Sequence, residues 1–187
     1  VPRELRADAR RNRARVLEVA GEVFATEGLT VPVHEIARRA GVGTGTVSRH
    51  FPTKEALIAA ILLERMGQLL AEPDEPAGDS GERFFRFFGT LIRAGAANRG
   101  LAEALAGTGY DLDAAAAEAG YDLSGHLRTL LADAQRAGAV RADIEFADLK
   151  ALMVGCQSHP AAATDPAALD RIIDVATTGL RAAGKSA

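Results

Sequence analysis

The chain has 187 residues, with 22 Lys plus Arg against 25 Asp plus Glu, four His, one Cys, no Trp and 48% apolar side chains, enough to bury one or two cores. A single cysteine excludes an internal disulfide, a zinc finger and a dithiol redox motif, so a reducing, cytoplasmic setting is expected. The longest apolar run, Ala56 to Leu63, falls far short of the roughly 20 residues that span a bilayer, so no membrane partner is expected. A formal net charge of −3 argues against nucleic acid as a partner, but the charge is unevenly spread. Residues 1–55 hold ten basic and seven acidic side chains (net +3), and the remainder twelve and eighteen (net −6). A basic head on an acidic body fits a polyanion-reading unit joined to a part with another task.

Helical spacing recurs along the chain and strand signals are nearly absent, so the expected fold class is all α. A first helix from about Asp8 to Glu27 puts Val16, Ala20, Val23 and Phe24 on one stripe and stops at Gly28. Pro32 opens a second, short helix in which Val33, Ile36, Ala37 and Ala40 share a face, closed by Gly41. After Gly43 and Gly45 a third runs through Val47 to about His50, ended by Phe51-Pro52. Thr53 caps a fourth that carries Leu57, Ile58, Ile61, Leu62, Met66, Leu69 and Leu70, apolar around much of its circumference.

Residues 72–81 read as a polar loop. Phe84, Phe87, Phe88, Leu91 and Ile92 then mark a helix to about Ala97, and Leu101 to Ala106 a separate short one. Another spans Leu123 to Gly138, and the next begins near Glu145 with Leu149, Leu152, Met153 and Cys156 on one face. The last starts at Asp165-Pro166, a cap followed by proline, and carries Leu169, Ile172, Ile173, Ala176 and Leu180. The tail from Gly184 is expected to be disordered. The tetrapeptide GYDL occurs at Gly109–Leu112 and again at Gly120–Leu123, flanking the run Ala114 to Ala117. It reads either as coincidence or as two aromatics, Tyr110 and Tyr121, beside a cavity.

The first three helices make a helix-turn-helix pattern, whose last member can lie in a major groove. Its third helix, TGTVSRH, has one clear core residue, Val47, while Thr44, Thr46, Ser48, Arg49 and His50 are donors that a purely structural helix does not need. Gly43 and Gly45 remove side chains where a backbone could approach DNA. The stretch IARRAGVGTGTVSRHFPTKEALI, Ile36 to Ile58, resembles the DNA-binding signature of the TetR family of bacterial transcriptional regulators, whose usual form is close to IA..AGVS.GT.Y.HF..KE.L. Ile36, Ala37, Ala40, Gly41, Val42, Gly45, Thr46, His50, Phe51, Lys54, Glu55 and Leu57 match.

The resemblance implies a DNA-binding domain at 1–52, with three helices, and a six-helix ligand-binding and dimerisation domain at 53–187. It implies that Thr46, His50 and Lys54 contact phosphates while Thr44, Gly45 and Arg49 face the groove, with His34 near bases or backbone. Ser48 departs from the pattern: the family usually has a tyrosine there, and serine has a shorter reach. An arginine-rich arm before Arg15 could add phosphate or minor-groove contacts. A homodimer is expected through the last two helices, with Leu152, Gly155, Ile173, Ala176, Thr177 and Leu180 at the interface. The implied effector is small and hydrophobic, lined by Met66, Phe88, Ile92, Tyr110, Tyr121, His126, Leu130 and Met153.

The expected function is thus a repressor that binds palindromic operator DNA as a homodimer and is released by that effector. Two alternatives stand beside it. One is a TetR-like fold with weak or lost DNA binding that acts as an interaction module, suggested by Ser48. The other is a small all-α enzyme, against which the His are scattered, Cys156 lacks an evident base, and no HExxH, EF-hand or P-loop pattern occurs. No catalytic residue, metal or cofactor is expected.

Overall fold

Residues 3–71, 79–159 and 165–182 are described by the computed structural model, with side chains from Asp8 onward. Among these residues the chain forms α1 (Arg3–Glu27), α2 (Val33–Ala40), α3 (Thr44–His50), α4 (Lys54–Ala71), α5 (Ser80–Ala106), α6 (Leu112–Glu118), α7 (Leu123–Arg136), α8 (Phe146–Gln157) and α9 (Pro166–Leu180). Extended pairing is limited, among them, to one antiparallel bridge between Val140 and Arg181. The fold is all α, as the periodicity indicates.

Local chemistry accounts for most of the boundaries. Gly41 closes α2 at φ +67°, and the Val42 N–H returns to the Ala37 carbonyl at 3.0 Å, the six-to-one bond of a Schellman ending. The Thr53 hydroxyl accepts from Ala56 N at 3.1 Å before α4. Asp165 caps α9 by accepting from Ala167 N and Ala168 N, with Pro166 opening the helix.

Two elements, α5 and α6, differ from the sequence reading by more than a helix end. The helices expected at Phe84–Ala97 and Leu101–Ala106 are one helix, α5, which runs through Gly100. It also starts earlier, because the Asp79 carboxylate accepts from Glu82 N at 2.8 Å and brings Ser80 and Gly81 into the first turn. The alanine run, not assigned an element from sequence, is α6. The repeated GYDL is its punctuation. Gly109 and Gly120 both sit at φ +77°, where glycine is favoured, and Asp111 and Asp122 then cap α6 and α7 through Ala114 N at 2.9 Å and Gly125 N at 2.7 Å. The expected disordered tail, from Gly184, lies outside the described residues, as do residues 72–78 of the expected loop.

Packing divides the chain into two units that are not contiguous in sequence. Unit 1 joins the chain up to Met66 with Gly100–Ala119, and unit 2 joins Gly67–Arg99 with the chain from Gly120. The division thus differs from the boundary at 52/53 that the resemblance implies. The core of unit 1 gathers Val16, Ala20, Phe24, Ile36, Val47, Phe51, Leu57 and Ile61, and is completed by Leu101 and Leu105 from the end of α5. Unit 2 is built on Phe84, Phe88, Ile92, Leu127, Leu130, Leu149, Leu169 and Leu180. Within unit 2 the α7–α8 connection is clamped to the end of α9: Arg141 N donates to Leu180 O and Ala182 N to Ala139 O, at 3.0 and 3.1 Å.

Candidate nucleic-acid interface

α3 is too short to persist alone, and its own sequence anchors it. Val47 is 1% exposed and Phe51, just beyond its end, 4% exposed. Its start is set by Gly43, whose carbonyl accepts from Thr46 N at 2.9 Å. With Val47 inward, Gly45, Ser48 and Arg49 turn away from the core; they and Thr44, at the first position of the helix, are all exposed. His50 is also exposed, Thr46 is half-buried, and His34 is exposed in the first turn of α2. A Cβ built at Gly45 meets nothing within 4 Å, so packing within the chain does not require glycine there.

The basic residues of the head divide into spent and available charge. Arg38 donates twice to Glu35, at 2.8 and 2.7 Å, and Arg39 bridges Glu35 at 2.9 Å to Glu27 at the end of α1. The Arg38 bonds, then those of Arg39, hold the Glu35 carboxyl down at about 2. Arg13 faces Glu64 at 3.6 Å and lies 5.7 Å from the centre of the Phe51 ring, and Arg11 pairs with Asp8. Arg49, by contrast, has no ion-pair partner among the described residues. The side chains of Arg3 and Arg6, in the expected arm, lie outside the described residues. Lys54, expected at a phosphate, is half-buried, and its ammonium donates to the main-chain carbonyls of Leu29 and Val31.

The residues expected around an effector are not all brought together. Phe88, Ile92 and Leu130 lie in the core of unit 2, at 0, 0 and 2% exposure, and Met153 packs against that core. His126 meets Phe87 edge-on at 4.7 Å. Tyr121 packs on Gly67, where a Cβ would lie 2.8 Å from its ring. Met66 and Tyr110 belong to unit 1, and Tyr110 is exposed. An open groove of about 380 Å³ lies elsewhere in unit 2, between α5 and α9, lined by Phe85, Gly89, Thr90, Asp174 and Thr177 and bridged by the Arg93–Asp170 ion pair at 2.8 Å. Sequence reasoning missed it, because its walls join helices far apart in the chain.

Of the residues expected at a dimer interface, Ile173, Ala176 and Leu180 are buried in the core of their own unit. Leu152 and Thr177 are half-buried and Gly155 is exposed. The apolar surface that α8 and α9 leave open centres on Val154, 53% exposed, and Val175, 73% exposed, with Gly155 and Gly179 having open space around an added Cβ. No group of three or more His, Cys, Asp or Glu able to hold a metal occurs among the described residues, and no helix among them is long and apolar enough to cross a membrane.

A tight turn leading into a short helix that is anchored by one valine and presents polar donors outward defines a helix-turn-helix DNA-binding protein. The comparisons with known proteins agree. The family model described as "Bacterial regulatory proteins, tetR family" matches residues 16–61, and that described as "Transcriptional regulator SbtR-like, C-terminal domain" matches residues 79–182. The chain belongs to the TetR family of bacterial transcriptional regulators. It is 49% identical to a TetR transcription regulatory protein from Mycobacterium vanbaalenii, with a TM-score of 0.72 over 95% of this chain and 99% of that one. It is 31% identical to the TetR transcriptional regulator SCO0520 from Streptomyces coelicolor, with a TM-score of 0.65 over 92% and 99%. The HTH-type transcriptional regulator UidR of Escherichia coli is 34% identical over 73 residues, which span 38% of this chain and 37% of UidR.

Proposed function

We propose that the protein is a homodimeric repressor that reads a palindromic operator through α3 and is released by a small hydrophobic effector. The observation that carries this reading is the outward face of α3, where Thr44, Gly45, Ser48 and Arg49 are exposed while Val47 holds the helix in the core. Arg49 is the residue assigned to base reading, because its guanidinium is unspent and can form a bidentate pair with guanine. Thr46 and His50 are assigned to phosphates, with His34 at the edge of the same surface. A two-fold dimer reads half-sites separated by whole turns of DNA, about 34 Å or a multiple.

Dimerisation is assigned to the surface of α8 and α9 that carries Val154, Gly155, Val175 and Gly179. Two large apolar side chains in contact with water beside two glycines with open space are what close helix packing between copies uses. The effector is assigned to the apolar interior of unit 2 around Phe88, Ile92, Leu130 and Met153. An effector that enters there shifts the protein only through a difference in affinity between two conformations. α4 and α5 contribute residues to both units, so a change in either helix is shared covalently.

The test is selection of bound sequences from random duplexes by the purified protein, followed by affinities on the recovered site. A pseudo-palindrome is expected, and Arg49→Ala should lose about 1–3 kcal/mol of discrimination at one base position of each half-site. Recovery of no preferred sequence at low salt, where phosphate attraction is strongest, would leave the interaction-module reading in its place.

A further inference from the structure

Lys54 opens α4, at the end of a helix where the dipole disfavours a cation. Its side chain is held from outside that helix. The ammonium donates to the carbonyls of Leu29 and of Val31, the latter at 3.3 Å, and lies 5.5 Å from the centre of the buried Phe24 ring, within range of a cation–π attraction. The accepting segment joins α1 to α2 and is turned by Gly28 at φ +83°. Leu29 and Val31 are half-buried, and the ammonium supplies their carbonyls with a donor. An ammonium has three N–H groups, and two are committed here.

The location of this contact gives it a consequence. Val31 stands just before α2, and Lys54 just after α3, so one side chain joins the two ends of the helix-turn-helix. We propose that Lys54 is a positioning residue, an internal staple that closes the helix-turn-helix and fixes the angle of α3, and that it is not a phosphate contact. The consequence for DNA rests on the function proposed above; the staple itself does not.

Three measurements decide it. In the free wild-type protein, brief acetylation with an N-hydroxysuccinimide ester followed by peptide mass spectrometry should modify Lys54 more slowly than in the urea-unfolded chain. Lys54→Met should lower the melting temperature of the free protein by about 3–8 °C, and Lys54→Arg, which keeps the charge but not the compact donor, should also melt below wild type. On the selected operator Lys54→Met should bind about tenfold or more weakly at every salt concentration, with the wild-type slope of log affinity against log salt retained. A phosphate contact predicts the reverse: wild-type melting for both variants and a slope smaller by about 0.9 per subunit. Equal acetylation of Lys54 in the folded and the unfolded chain, unchanged melting of both variants, or that smaller slope overturns the staple. Unfolding of Lys54→Met is the extreme of the expected effect, and acetylation and Lys54→Arg then decide. If the wild type selects no DNA, the proposed function fails while acetylation and melting still judge the staple.

Discussion

A methyl group added at Gly45 would meet nothing within 4 Å beyond its own helix among the described residues, yet glycine lowers helix stability relative to alanine by up to about 1 kcal/mol. The fold therefore gains nothing from this glycine, and a surface outside the chain can. Gly45→Ala is expected to melt at or above the wild-type temperature while its operator affinity falls, because the added Cβ stands between α3 and the groove. Equal affinity for the two proteins would remove Gly45 from the DNA-facing surface. Residues such as Thr44, Ser48 and Arg49 were legible in sequence because a seven-residue helix with one inward valine leaves little choice of face. Lys54 was not. Its partners are carbonyls 25 and 23 positions away, and no side-chain pattern announces a main-chain acceptor.

At the scale of elements, the carboxylate of Glu35 ties α2 to itself and, through Arg39 and Glu27, to the end of α1. Its pKa is depressed from 4.5 to about 2, first by the Arg38 hydrogen bonds and then by Arg39; Glu27 is lowered in the same direction by Arg39. A carboxyl with a depressed folded pKa binds protons more readily when unfolded, so its contribution is complete above about 4.5 and is lost as pH falls toward 2. Melting temperature should therefore decline across that window. Glu35→Gln should flatten part of the decline and melt lower at neutral pH. Because the network is at the surface, added salt should shrink the difference; a difference that survives molar salt would point to a packing effect instead. The extents of elements were less legible than their existence. Asn98, Arg99 and Gly100 look like a break, but α5 continues because Leu101 and Leu105 are needed in the core of unit 1. GYDL was visible as a repeat, while its meaning, a left-handed glycine followed by a capping aspartate, required the dihedral angles.

For the whole molecule, assembly turns on the outward surface of α8 and α9. Both helices are apolar on more than one side, so periodicity alone does not tell an inward stripe from an outward one; Ile173, Ala176 and Leu180 proved to face inward. The outward Val175 then gives a clean test of the dimer. Val175→Asp should leave the subunit folded, since the side chain is 73% exposed, and should convert a dimer to a monomer in sedimentation equilibrium at micromolar concentration. A variant that sediments as the wild type does would move the interface elsewhere.

The return of α5 to complete the core beneath the recognition helices bears on how this protein can be rearranged. A reading head transplanted onto another sensor by cutting at the end of the motif would leave behind Leu101 and Leu105, 7% and 1% exposed in the intact chain. Removing two buried leucines opens cavities that cost about 2–5 kcal/mol each, comparable to the whole stability of a small domain. A working chimera must carry residues 100–119 along with the head, which makes the sensor's own helix part of the inheritance of the DNA-binding unit.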